Sequence, residues 1–128
     1  MLHEDLSRKI LNAFYIVYNV LGHGFLEKVY ENALMLEFRK QGIKVEQQEK
    51  IDVWYDSFRV GEYFSDIVVD DKVILELKAA AGIAPENEAQ LLHYLRATHI
   101  ELGFVLNFGL KPEFIRRVFS NERKESRG

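Results

Sequence analysis

The chain has 128 residues, of which 48% are hydrophobic and 29% are charged, and its formal net charge at pH 7 is −3. This length supports one hydrophobic core and excludes two separate domains, and no stretch is long and apolar enough to predict a membrane span or a membrane partner. The absence of cysteine excludes disulfides and thiolate chemistry and fits a cytoplasmic location, while the acidic balance means that any contact with nucleic acid depends on a local patch or on metal ions.

Two helices are predicted at the start of the chain. Apolar residues recur at three- and four-residue steps over residues 4–21 and again over about 26–40, and the glycines of LGHG break the pattern between them. The segment that follows alternates apolar and polar residues and is rich in Val, Ile, Tyr and Phe, which is typical of strands. Four strands are predicted there, over about 43–49, 51–56, 58–69 and 72–79.

The remainder of the chain predicts one more helix and at least one more strand. Pro85 suits a helix start, and the apolar spacing after it predicts a helix to about Thr98. GFVLNFG, residues 103–109, is a buried strand, and KPEFIRRVF is either an edge strand or a helical turn. NERKESRG, residues 121–128, is predicted to be a disordered charged tail. The order ααββββαβ describes a single domain over residues 1–120 of the α/β class, an α+β mixed sheet.

Two charged residues, Glu76 and Lys78, interrupt the apolar strand VILELKAA. They lie two positions apart and therefore share one face of the strand. An exposed edge face would explain them simply, because both charges would then be solvated. If the strand is buried instead, an unpaired charge costs several kcal/mol, so a partner or a ligand is required.

Asp66 on the preceding strand is a candidate partner for Glu76. A two-residue turn at Asp70-Asp71 would place Asp66 opposite Leu75, whereas a three-residue turn would place it opposite Glu76. Two adjacent carboxylates repel each other and are stabilised by a shared proton or by a divalent cation such as Mg²⁺ or Mn²⁺. By itself the pattern D-x₉-E-x-K is weakly specific.

Two further segments carry polar residues at suggestive positions. Glu27 and Tyr30 lie in GFLEKVY, where an acid in the first helical turn and a core tyrosine are sufficient explanations. Gln90 and Tyr94 are four residues apart and therefore lie on one face of the predicted third helix. The polar edge of an ordinary amphipathic helix would explain this spacing equally well. The four histidines show no zinc spacing, and no P-loop or nucleophile-elbow motif is present.

Together these motifs resemble the GxxExxY protein family, which is grouped with the PD-(D/E)XK nuclease superfamily. The resemblance extends from about Leu21 to Phe119 and includes GFLEKVY, GEYFSDIVVDDKVILELKA, EAQLLHYL and FVLNFG in that order. It implies a restriction-endonuclease-like core with the acid-x-lysine strand at its centre. Two positions depart from the expected pattern, because Ser65 precedes the aspartate and His23 occupies the LGHG turn where proline is expected.

The resemblance also implies roles for individual residues. The implied catalytic residues are Asp66, Glu76 and Lys78. The implied ligands of Mg²⁺ or Mn²⁺ are Glu27, Asp66 and Glu76. The implied substrate-binding residues are Gln90, Tyr94 and Tyr30.

The expected function is therefore a metal-dependent nuclease that hydrolyses DNA or RNA. Two alternatives are a binding module for nucleic acid or protein that uses the nuclease fold without catalysis, and an enzyme for small phosphate esters. The complete acidic set favours catalysis, because carboxylates repel the phosphates that a simple binder would need to hold. A nuclease of this size without a separate specificity domain is expected to act as a homodimer or beside a partner.

Overall fold

A computed structural model describes residues 1–125, so residues 126–128 of the predicted tail lie outside the described part of the chain. The elements are α1 (Glu4–Leu21), α2 (Glu27–Lys40), β1 (Val45–Tyr55), β2 (Phe58–Val69), β3 (Val73–Lys78), α3 (Pro85–Ala97), β4 (Leu102–Phe108), β5 (Pro112–Val118) and α4 (Asn121–Glu125). None of the helices in residues 1–125 is both long and apolar enough to cross a membrane.

The strands described in residues 1–125 form one five-stranded sheet in the order β1-β2-β3-β4-β5. β1–β2, β2–β3 and β4–β5 are antiparallel pairs. β3 and β4 are parallel and are connected through α3, as a parallel pair requires a crossover. The mixed α/β fold predicted from the sequence is confirmed.

Helices cover both faces of this sheet. The apolar sides of α1 and α2 pack on one face, where Phe14 and Phe38 join Leu75 and Phe104 in one buried cluster. α3 packs on the other face, where its leucines join a second buried cluster that includes Ile74. Burying each large apolar side chain contributes about 1.5–3 kcal/mol, so β3 is held from both sides. The strand that carries Glu76 and Lys78 is therefore central, and the exposed-edge explanation for these charges is wrong.

The prediction of four strands before α3 is wrong, because the segments 43–49 and 51–56 form one continuous strand, β1. This strand pairs with β2 from Val45↔Val69 to Tyr55↔Phe58, with a shift in register between Val53 and Trp54. Gln48, whose φ is 53°, interrupts the pairing without changing the register. Polar residues near the middle of β1 suggested a break. They are tolerated in a continuous ladder because β1 is an edge strand whose side chains reach water.

The end of the chain also differs from the prediction. KPEFIRRVF forms the edge strand β5 rather than a helical turn. Residues 121–125 of the predicted disordered tail form the short helix α4. Its Lys124 ammonium donates to the carbonyl oxygens of Thr98, at 2.9 Å, and Ile100, at 2.7 Å. The charge of this segment predicts disorder, but the Lys124 ammonium holds it against backbone carbonyl groups that follow α3. The observed order is ααβββαββα.

Candidate active site

The turn between β2 and β3 sets which residues face each other across these strands. Val69 pairs with Val73, and the Lys72 amide donates to the Val69 carbonyl at 2.9 Å, so the turn contains three residues. The same register pairs Ile67 with Leu75 and aligns the next position, Asp66, with Glu76. The sequence allowed a two-residue or a three-residue turn. The structure has the three-residue turn, which brings Asp66 and Glu76 together.

Side-chain bonds replace the backbone ladder at the Asp66–Glu76 position. The Asp66 amide donates to the Glu76 carboxylate at 3.0 Å, and the Leu77 amide donates to the Asp66 carboxylate at 2.7 Å. Each acid is therefore held against the backbone of the opposite strand. Such bonds fix the two carboxylates in orientation before any ligand binds.

The electrostatic environment of Glu76 disfavours a negative charge. Its side chain is buried, with only 4% exposed. Burial, followed by the nearby charge of Asp66, raises the Glu76 pKa to about 8, although the Asp66 amide and the Lys78 ammonium act in the opposite direction. Glu76 is thus mainly protonated at neutral pH unless a cation is added.

The pKa of Asp66 is raised as well, chiefly because the carboxyl is partly buried. The negative charges of Glu31 and Glu27 on α2 raise it further, whereas the hydrogen bond from the Leu77 amide lowers it. The N-terminal part of α2 therefore lies within electrostatic reach of the acids on the sheet. This region of the protein carries more negative charge than its own side chains neutralise.

Lys78 is half-buried at the end of β3, where it pairs with Asn107 of β4. The Asn107 side chain fixes the chain just beyond this pair, because it accepts from the Ala80 amide and donates to the Ala80 carbonyl, both at 3.0 Å. Lys78 follows Ile74 and Glu76 at two-residue steps, and Ile74 packs in the cluster that contains α3. Glu76 and Lys78 therefore face α3.

Gln90 and Tyr94 of α3 lie on the same side of the sheet as the acids. The Gln90 amide nitrogen donates to the Tyr94 hydroxyl at 2.9 Å. Burial and the charges of Glu76 and Asp66 raise the pKa of Tyr94 to about 12. The structure thus brings Asp66, Glu76, Lys78, Gln90 and Tyr94 into one region.

Glu27 is exposed in the first turn of α2, and Glu31 follows one turn later with only 3% exposed. The Glu31 carboxylate accepts bonds from Lys28 at 2.9 Å, Gln47 at 2.7 Å and Gln48 at 3.1 Å. The sequence analysis did not single out Glu31 or Gln48. A signal existed for Glu31, because it lies four residues after Glu27 and therefore shares its side of the helix.

Tyr30 does not contact the site surface, so its predicted role in substrate binding is wrong for this structure. Its side chain is 0% exposed, and its ring stacks on Phe108 with the centroids 4.2 Å apart. Its hydroxyl donates to the Gly22 carbonyl at 2.6 Å and accepts from the Phe25 amide at 3.2 Å. Tyr30 instead anchors the loop between α1 and α2.

The chemistry of these side chains fits a hard divalent cation, because all the candidate ligands are carboxylate oxygens. The raised pKa values of Asp66 and Glu76 are consistent with a site that lacks a positive charge. No three His, Asp or Glu side chains within residues 1–125 already converge as a metal-binding cluster. Glu27 in particular does not complete a preformed triad with the two acids of the sheet.

The central mixed sheet, with helices on both faces and the acid-x-lysine segment in its middle strand, defines a restriction-endonuclease-like core. A family model of the PD-(D/E)XK nuclease superfamily matches residues 4–118, and the chain belongs to this superfamily. Nucleases of this superfamily generally act on nucleic acid and use divalent metal ions. The likeness to the GxxExxY family remains a resemblance.

The fold is similar to that of a solved structure titled "Crystal structure of SSO0001", with a TM-score of 0.53 and 10% sequence identity. The similarity covers 73% of this chain and 50% of that chain, so this chain spans about half the length of that protein. At this identity the likeness concerns the fold alone. A comparison with curated proteins finds no significant match.

Proposed function

We propose that this protein is a metal-dependent nuclease that hydrolyses phosphodiester bonds of DNA or RNA at Asp66, Glu76 and Lys78. The observation that carries the proposal is the buried Glu76 carboxyl, held beside Asp66 in the middle of the sheet. Burying two neighbouring ionised acids destabilises the fold unless one of them takes up a proton or a cation binds beside them. A purely structural core would be more stable with apolar residues at these positions.

Asp66 and Glu76, together with Glu27, would hold Mg²⁺ or Mn²⁺. When bound, such an ion supplies charge neutralisation at the scissile phosphate and a water of lowered pKa. The Lys78 ammonium donates a hydrogen bond to the attacking water or to a phosphate oxygen. The Tyr94 hydroxyl keeps its proton at neutral pH, because its pKa is about 12, and is therefore a donor to the substrate phosphate.

Thermal unfolding with and without Mn²⁺ or Mg²⁺ tests the proposed metal site directly. A cation at about ten times its dissociation constant stabilises the folded state by about 1.4 kcal/mol, which raises the melting temperature by several degrees. We expect this increase in the wild type and its loss in Asp66→Asn and Glu76→Gln. Asp56→Asn is the matched control, because it removes one exposed carboxylate in a turn whose φ of 49° suits asparagine.

Cleavage of labelled single- and double-stranded DNA and RNA tests the activity itself. A chelator should abolish cleavage, and Lys78→Met should lower its rate by about 100-fold or more, the usual loss for one transition-state donor. Cleavage that persists in Glu76→Gln or with a chelator would contradict the proposal. A wild type that neither gains stability with metal nor cleaves any of these substrates would favour the non-catalytic binding module.

Three finer expectations stay predictions from the sequence: membership in the GxxExxY family, a cytoplasmic location and a homodimer. The homodimer is proposed because one small domain of this kind has one cleavage site and can act on one nucleic-acid strand. Symmetric pairing of two copies supplies a second cleavage site. Light scattering after size-exclusion chromatography measures the mass in solution directly. A monomeric mass at working concentration, with activity retained, would contradict the dimer.

A further inference from the structure

A cavity of about 640 Å³ lies between the β1–β2 hairpin and α3. This volume is in the range of sites that hold a nucleotide-sized ligand. The side chains that line it and matter here are Trp54, Tyr63, Gln90, His93, Tyr94 and Arg96.

Gln90 and Tyr94 belong both to the wall of this cavity and to the proposed cleavage site. Both residues line the cavity, and they are hydrogen-bonded to each other at 2.9 Å. Tyr94 also lies within electrostatic reach of Glu76 and Asp66. A phosphate bound at the acids would therefore lie on the side of the sheet that this cavity also occupies.

Aromatic rings dominate the walls. Trp54, the only tryptophan in the sequence, is 62% exposed, and Tyr63 is 49% exposed. The rings of Tyr63 and Tyr94 lie 5.7 Å apart with an angle of 46° between them, so they form two sides of a corner. Exposed rings beside a polar group are the usual means by which proteins stack unpaired bases.

The charges around the cavity do not oppose a nucleic acid. The one carboxylate on its wall among the described residues belongs to Asp52, which is ion-paired with Lys50 at 3.6 Å and Arg59 at 3.4 Å. Arg96 adds a guanidinium on the α3 side, close enough to the Phe119 ring, at 5.1 Å, for a cation–π contact. A cation on this wall favours a phosphate group at the rim.

We propose that this cavity binds the base of an unpaired nucleotide adjacent to the cleaved phosphodiester, so that the protein selects single-stranded or unpaired segments of nucleic acid. The position of the cleaved bond rests on the proposed function, whereas the base-binding site does not require cleavage. A base within a duplex is stacked and paired on both sides and reaches such a cavity only after it is extruded.

Trp54 fluorescence reports on the cavity because it is the only tryptophan in the chain. We would titrate Glu76→Gln, which the proposed function makes inactive, with a short single-stranded DNA, with the same sequence as RNA, and with the blunt DNA duplex. We expect saturable quenching by at least one single strand and little by the duplex. Tyr63→Ala should weaken binding about tenfold, the effect of losing one stacking ring.

Phe58→Ala is the matched control, because Phe58 lies on the same hairpin, is 73% exposed and is outside the cavity lining. It should leave binding unchanged, and all variants should unfold at a similar temperature. The anisotropy of a labelled strand gives a second measure of binding that does not depend on Trp54. The inference is overturned if strands bind without quenching, if the duplex quenches equally, if Tyr63→Ala binds normally, or if no strand binds.

The two proposals fail in different ways. Quenching by single strands without any metal-dependent cleavage would remove the nuclease function and leave a single-strand binding protein. Metal-dependent cleavage with Trp54 fluorescence unchanged would leave a nuclease whose substrate does not enter the cavity.

Discussion

Glu76 links the stability of this protein to pH. The pKa of its carboxyl rises from 4.5 to about 8 on folding, so between these pH values the folded protein keeps a proton that the unfolded chain loses. The stability associated with this proton is fully present below pH 4.5 and is lost as pH rises through about 8. The pKa of Asp66 is raised too and acts in the same direction at lower pH.

We therefore expect Glu76→Gln to be more stable than the wild type at pH 8.5 in the presence of a chelator and about equal at pH 4.5. The difference is at most about 5 kcal/mol, since one pKa unit corresponds to about 1.4 kcal/mol. Urea unfolding at the two pH values measures it. Glu113→Gln, an exposed acid on β5, is the control and should show no such pH-dependent gain.

Tyr30→Phe separates the structural role of this tyrosine from the role in substrate binding that the sequence implied. The variant keeps the ring that stacks on Phe108 and loses the bonds to Gly22 and Phe25. We expect a loss of about 1–2 kcal/mol in the free energy of unfolding, with unchanged metal binding. Urea unfolding and the metal-induced change in melting temperature check both parts. A variant of normal stability with impaired substrate binding would restore the original interpretation.

At the level of elements, the approach of α3 to β4 determines where Gln90 and Tyr94 lie. Gly103 of β4 faces Leu91, and a Cβ atom at this position would lie 2.5 Å from Leu91 Cδ1 and 3.2 Å from the Ile74 carbonyl oxygen. Only a residue without a side chain lets the helix pack this closely to the sheet. Gly103 thus supports the site without touching it.

Gly103→Ala should lower the free energy of unfolding by about 1–3 kcal/mol, because either the Leu91 side chain must adopt another rotamer or α3 must shift away from the sheet. Denaturant unfolding measures the loss, and quenching of Trp54 by a single strand measures the displacement of the cavity wall. Gly61→Ala is a suitable comparison, since its Cβ would meet the nearest atom at 3.6 Å, which is an ordinary contact. Equal stability of the two variants would show that α3 adapts without strain.

The turn between β2 and β3 illustrates what the sequence could and could not determine. The sequence supplied two registers, and only the structure selects the one that aligns Asp66 with Glu76. Asp70 and Asp71 both adopt positive φ, at 51° and 53°, a conformation that aspartate tolerates but does not require. Local residue preferences therefore did not determine the length of the turn. The length was determined by the packing of apolar residues on both faces of the sheet.

For the whole molecule, motif residues were easier to predict than their surroundings. The helices follow an apolar period that could be read directly, whereas the spacing of Asp66, Glu76 and Lys78 is weakly specific and gained its meaning from the family resemblance. The sequence places Glu31 on the same side of the helix as Glu27, but it does not show the bond from Gln47 or the contact between Tyr63 and Tyr94, because these partners are distant in the chain. Tyr30 lies in the GFLEKVY motif, but its side chain is buried in the hydrophobic core.

Net charge limits how strongly this protein can bind a polynucleotide. With a charge of −3 and Lys78 and Arg96 as the basic residues of the proposed site, about two phosphates are neutralised. Affinity for a single strand should then fall about sevenfold between about 50 and 200 mM salt, from a slope of about −0.7 per phosphate. Anisotropy titrations over this range measure the slope. An affinity independent of salt would favour a small phosphate ester as substrate.

The strand order of the sheet has a consequence for the folding rate. Within residues 1–125 the spatial order of the strands is their order in the chain, and short turns connect every antiparallel pair. The parallel β3–β4 pair requires the longest loop closure, from Lys78 to Leu102 through α3. Asp66 and Glu76 thus become neighbours through a local hairpin, whereas Gln90 and Tyr94 reach them only when the crossover closes. Loop-closure entropy therefore makes the β3–β4 pair slower to form than the hairpins of the sheet.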